Sequence, residues 1–163
     1  MKSKHACHSA GILPICKNQI LLGKEHRGWS AFGGKSEEGE TPNVTAMREF
    51  KEETAGIFQQ VKVDSNSCVV ETSTPRGFPF FLFLIEFPHA DKQVNDEFQR
   101  RRKLTNDKRE KEKKNIEWID ISDVTKLRLS SSFAMDWQLV KTKILSEMMK
   151  KGDHLDSNAL TGD

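Results

Sequence analysis

The chain has 163 residues, of which 36% are hydrophobic and 31% charged, with a net charge of +2. That is enough for one domain with its own core. So small a net charge excludes a whole-molecule field that gathers nucleic acid or anionic membrane, and any charge-driven binding must be local. Three cysteines, Cys7, Cys16 and Cys68, occur without a Cys-x-x-Cys pair. This argues against a zinc knuckle or a disulfide framework and points to a reducing, cytoplasmic setting. His8, Ser9 and Pro14 interrupt the N-terminal stretch, so no secretory leader is expected. The apolar run at 78–87 is too short to span a membrane.

Residues 9–15 read as a strand, 16–19 as a turn and 20–22 as the returning strand of a hairpin. A polar connection at 23–28 and a short extended piece at 29–32 lead into Gly33-Gly34. A helix follows. Thr41 is its expected N-cap, Pro42 suits the first helical position, the body reaches about Thr54, and Gly56 stops it. At 100° per residue, Val44, Met47, Phe50 and Thr54 fall on a core face, with Glu49, Glu52 and Glu53 on the opposite face. Residues 61–70 read as a strand bent at 65–67, 74–77 as a turn, and 80–87 as a strand buried on both faces. Residues 91–114 read as a long charged connection and 116–121 as a strand running into a short helical turn at 122–124. A final helix capped by Ser131 or Ser132 carries Phe133, Trp137, Val140, Ile144, Leu145 and Met148 as its apolar stripe. Residues 1–151 are read as one domain and 152–163 as a disordered tail. Strands on each side of one early helix, with a second helix near the end, predict an α/β (α+β) fold with a mixed sheet between helices.

Three glutamates clustered on one helical face repel one another, and a cation removes that cost. The donors are all oxygen, which favours Mg²⁺ or Mn²⁺ over zinc. Such an ion keeps sites for substrate phosphate oxygens and supports attack of water on phosphorus. Arg48 is spaced to pair with Glu52 at i+4 and to hold it in place.

Gly34, Glu40, Arg48, Glu49, Glu52 and Glu53 stand at the spacing G-x5-E-x7-R-E-U-x-E-E-x-G-U, with U a bulky apolar residue. This pattern resembles the signature of the Nudix hydrolase family (MutT-like). There are two departures. Two residues, Thr54 and Ala55, separate Glu53 from Gly56 where the pattern has one, which reads as an extra residue at the helix exit. Phe32 stands where many relatives have proline.

The resemblance implies a Nudix-type α-β-α sandwich and a metal-dependent pyrophosphohydrolase that cleaves a nucleoside diphosphate linked to X. It implies Glu52 and Glu53 as metal ligands, Glu49 as ligand or general base, Gly33 as a ligand through its carbonyl, and Glu40 as an auxiliary carboxylate. The family also takes an acidic residue from a later loop. Glu112 is the choice here and Glu110 the runner-up. A nucleoside triphosphate is the expected substrate. Alternatives are a dinucleoside polyphosphate, capped mRNA, or a catalytically silent binding module.

Arg27, Trp29, Lys35 and Arg76 are candidate substrate contacts, and Phe78, Phe133 and Trp137 join Trp29 as stacking candidates. Residues 99–114, QRRRKLTNDKREKEKK, carry a surplus of six positive charges and are a candidate RNA-binding loop. The chain is expected to act as a monomer or homodimer.

Overall fold

The computed structural model describes residues 7–58 and 61–148. The expected tail at 152–163 and His5 lie outside the described residues. Seven strands form one mixed sheet: β1 (Ser9–Cys16), β2 (Gln19–Glu25), β3 (Gly28–Ser30), β4 (Phe32–Lys35), β5 (Cys68–Ser73), β6 (Pro79–Glu86) and β7 (Asn115–Asp120). The expected hairpin is present, with Ile15 opposite Ile20. One edge of β1 pairs antiparallel with β4, Gly11 lying opposite Gly33, and β6 runs parallel to β1. β7 pairs antiparallel with β2, and β5 with β6.

The helices are α1 (Pro42–Glu53), α2 (Val94–Leu104) and α3 (Ser131–Lys143), the last continuing as a π turn over Ile144–Met148. Strand alternation divides the core between the two sheet faces. Ile12, Leu21, Phe32, Ile116 and Trp118 turn to one face and meet Ala46 and Phe50 of α1 and Phe98 of α2. Leu13, Ile20, Leu22 and Ile119 turn to the other face and meet Phe133, Trp137 and Val140 of α3. This is the expected sandwich, with a mixed sheet between helices.

Several expectations change, among them the cap of α3, which is Ser130 and not Ser131 or Ser132. The charged connection at 91–114 contains a helix, because Val94 and Phe98, one turn apart, bury against the sheet while the charged side stays in water. Of residues 61–70, only the last three belong to a strand. Asp64 bends the chain first, its carboxylate accepting from Asn66 N and its carbonyl from Ser67 N. On α1, Val44 is exposed and Thr45, Ala46, Phe50 and Glu53 are buried, so the inward face is rotated from the expected one.

The exit of α1 also differs. Gly56 N–H donates to Lys51 O and Ala55 N–H to Glu52 O, which is the Schellman pattern with Ala55 at the position after the cap. Ala55 is left-handed there, at φ 53°. Counted letter by letter, Ala55 stands where the signature has its glycine. The extra residue is therefore absorbed as an alanine in glycine's conformation, followed by Gly56 at φ 71°. The left-handed backbone costs an alanine on the order of 1 kcal/mol, and burial of its methyl group in the α1 core offsets part of that.

Candidate active site

Thr41 caps α1 by accepting from Val44 N, and the helix lies against β4 and β1. Its acidic edge therefore faces the glycine loop. A Cβ on Gly34 would come within 2.5 Å of the Glu49 carboxylate, so the loop is glycine because Glu49 occupies the space. Glu53 is 3% exposed, and its Oε1 accepts from Gly33 N–H at 2.6 Å. The expectation that Glu53 faces away from the core is corrected: it lies on the border of the inward face, pressed onto β4.

Arg48 organises the remaining carboxylates. Its Nε and Nη2 donate to the two oxygens of Glu40 at 2.7 and 2.9 Å, and Nη1 donates to Glu49 at 2.9 Å. The expected i,i+4 partner Glu52 is 3.4 Å away, and Nη2 also reaches the carbonyl of Lys35 at 3.0 Å. The paired guanidinium holds Glu40 down at about 2. Glu49 is shifted upward, because burial outweighs Arg48, and the charges of Glu52 and Glu112 add to the rise. Glu53 is pushed up to about 8 by burial, against the opposing pull of Lys113 and Gly33 N–H.

Among the described residues, no three acidic, His or Cys side chains converge as a ready-made metal cage. The carboxylates are held by cations of the chain instead: Arg48, Arg109, which lies 3.5 Å from Glu52, and Lys113, which lies 3.8 Å from Glu53. The donor set nonetheless fits a hard divalent ion. It is all oxygen, and the burial that chiefly raises Glu49 and Glu53, with the like charges that add to it, is a cost such an ion offsets.

The raised Glu53 has a consequence for stability. A carboxylate with a folded value of about 8 and an ordinary value of 4.5 favours the fold below 4.5, and that contribution is lost as pH rises through 8. In chelator-containing buffer, Tm should fall from pH 5 to pH 9, and Glu53→Gln should flatten the slope. An unchanged slope in the variant would refute the assignment to Glu53.

A cavity of about 340 Å³ opens from Gly33, Glu53 and Glu112 toward α3. Its far end is apolar, with Val70, Phe80, Leu82, Phe133 and Val140, and holds one polar pair, Thr72 Oγ1 donating to Asp136 Oδ2 at 3.2 Å. Burial raises Asp136, and the Thr72 hydrogen bond opposes the rise. Arg27 lines this cavity. Trp29, Lys35 and Arg76 do not. Trp29 packs in the α3-side core beneath Lys24, Lys35 lies over Phe78, and Arg76 is exposed in the turn between β5 and β6. Phe133 lines the cavity, whereas Phe78 and Trp137 do not. Glu112 is exposed on the cavity rim, and the side chain of Glu110 lies outside the described residues.

Sequence reasoning missed Lys113 and Asp136. A lysine inside a run of charged residues carries no signal of burial, yet Lys113 is 2% exposed. Asp136 sits one residue before Trp137 on a helix read only for its apolar stripe. The segment 99–114 is also less free than expected. Arg102 donates to the carbonyls of Lys111 and Lys113, and Arg109 pairs with Glu37, Glu52 and Asp107. Among the described residues, no helix is long and apolar enough to cross a membrane.

No curated protein sequence matches the chain. The fold is similar to the Nudix hydrolase RenU of M. smegmatis, at 17% identity over 90% of both chains, with TM-score 0.59. It is similar to an Ap4A hydrolase of C. elegans, at 18% identity over 82% of this chain and 93% of that one, with TM-score 0.58. A MutT protein from work on Aliivibrio salmonicida and Vibrio cholerae gives 18% identity over 86% of this chain and 97% of that one, with TM-score 0.55. The family model for the NUDIX domain matches residues 7–138, which span the sheet, the signature helix and all of the named cavity lining but Val140. The chain thus belongs to the Nudix family of hydrolases, enzymes acting on phosphorus-containing anhydrides.

Proposed function

We propose that the protein is a Mg²⁺- or Mn²⁺-dependent pyrophosphohydrolase that cleaves a nucleoside diphosphate linked to X, with a nucleoside triphosphate as the first substrate to test. The observation that carries this reading is the shape of the cavity. An apolar, aromatic-lined end with one polar pair is continuous with Gly33 and the carboxylates of Glu53 and Glu112. A base fits the first part, and the charged phosphates extend to the second.

Glu49, Glu52, Glu53 and Glu112, with the carbonyl of Gly33, would hold the ion. When bound, it supplies charge neutralisation at the departing phosphate oxygens. Glu49, raised in pKa, accepts the proton of the attacking water. The new bond is water oxygen to phosphorus, and the bond that breaks joins that phosphorus to the bridging oxygen. Arg48 keeps Glu49 and Glu52 in position. Arg27, on the cavity wall, is a candidate phosphate contact. Trp29, Lys35 and Arg76 do not line the cavity, and their substitution in the same panel tests whether they contact substrate.

The test is product release from a nucleotide panel with and without Mg²⁺, with a dinucleoside polyphosphate and capped RNA as additional arms. Metal-dependent release of a nucleoside monophosphate from a triphosphate is expected. Turnover of capped RNA alone would replace this reading with decapping, and metal binding without turnover on any arm would replace it with a silent binding module. Cleavage confined to the dinucleoside polyphosphate would reassign the substrate. Within the basic segment, Arg102, Arg109 and Lys113 are committed to partners within the chain, so the charge open to RNA is smaller than the sequence count.

A further inference from the structure

Lys113 is buried in a compartment shaped for it. Its stem crosses Gly23 of β2, where an added Cβ would meet Lys113 Cδ at 2.8 Å. The same Cβ would meet the Phe32 ring at 2.9 Å, and the ammonium lies 5.8 Å from the centroid of that ring. Lys113 Nζ donates to Ser30 Oγ at 2.6 Å and to Ala31 O at 3.5 Å, and it stands 3.8 Å from Glu53 Oε2. Arg102 Nε fixes the backbone from behind by donating to Lys113 O at 3.0 Å. A fully buried lysine is rare and costly unless its charge is answered. Phe32, the residue that departs from the family's usual proline, becomes intelligible here, since its ring walls the lysine and faces its charge.

The other oxygen of Glu53 is held by Gly33 N–H, so Lys113 meets the oxygen that remains. At 3.8 Å this is an ion pair without a hydrogen bond, which leaves that oxygen with acceptor capacity. We propose that Lys113 is a positioning residue and built-in counter-charge for Glu53. It orients the carboxylate and supplies, from the chain itself, positive charge that the site would otherwise take from divalent ions. This rests on the reading of Glu53 as a metal ligand.

The sign of the effect on metal affinity separates this from a merely structural lysine. A counter-charge repels the incoming ion at close range through a poorly screened interior. Lys113→Met should therefore bind Mn²⁺ about tenfold more tightly or better by calorimetry, compared as the affinity of the ionised site from titrations at several pH values because loss of the lysine also favours the protonated carboxyl, while kcat falls and KM for the triphosphate stays within a few-fold. Lys113→Gln, which keeps a donor toward Ser30 without the charge, should tighten Mn²⁺ in the same way if the Met variant does not fold. A structural strut would do the opposite: the loosened Glu53 would weaken Mn²⁺ binding. Unchanged or weaker binding in folded variants would overturn the proposal and leave the metal reading intact. Failure of both variants to fold would show a strut and overturn it too. A wild-type protein that binds no Mn²⁺ would sink both readings.

Discussion

Glu52→Gln should lower kcat on the preferred nucleotide by about 10³-fold and leave the fold in place. The side chain sits at the edge of α1, with Arg48 at 3.4 Å and Arg109 at 3.5 Å, and its carboxylate is among the more accessible of the cluster at 17%. The amide keeps the shape and removes the charge. Arg48 retains Glu40 and Glu49, so stability should change by less than about 1 kcal/mol. Glu117→Gln, on the exposed side of β7, is the matched control and should leave kcat unchanged. Steady-state kinetics with calorimetric Mn²⁺ titration checks the pair. A Glu52→Gln enzyme with near-normal kcat would remove Glu52 from the ligand set.

Arg48→Ala should be the costliest single change at the site for stability, about 3 kcal/mol. The guanidinium is 20% exposed and pairs with Glu40, Glu49 and Glu52, which are themselves largely withdrawn from solvent. Its removal leaves like charges facing one another and strips the Lys35 carbonyl of a donor. The pH dependence supplies a second readout. Glu40 is held at about 2 against an ordinary 4.5, so its contribution is complete above 4.5 and is lost as pH falls through about 2. In the variant that acid-side loss should be much smaller. Urea unfolding at pH 7 and pH 3 checks both, and equal acid sensitivity in the two proteins would show that Arg48 does not set the state of Glu40.

The parts legible in the sequence are those governed by local spacing. The Thr41-Pro42 start, the carboxylates three and four residues apart and the hairpin at 16–19 all act within a few residues. Residues 91–114 were not legible as a helix, because only Val94 and Phe98 anchor it and the remaining residues are polar. The inward tilt of Glu53 depends on where α1 lies across β4, which periodicity leaves open. Lys113 and Asp136 gain their settings from partners far along the chain, Ser30 across 83 positions and Thr72 across 64. Trp29 looked available for stacking, yet the bridge to Leu129 and the α3-side core claim it. A cavity formed between sheet and last helix has no sequence period at all.

The left-handed alanine that closes α1 bears on how family signatures are searched. A pattern written as a string counts letters, and by that count this chain breaks the rule just after its last glutamate. A helix exit is defined by the handedness of one residue, and by that measure Ala55 satisfies the rule with a methyl group added. A search that scores torsional class instead of residue name would recover such members without loosening the spacing of the carboxylates.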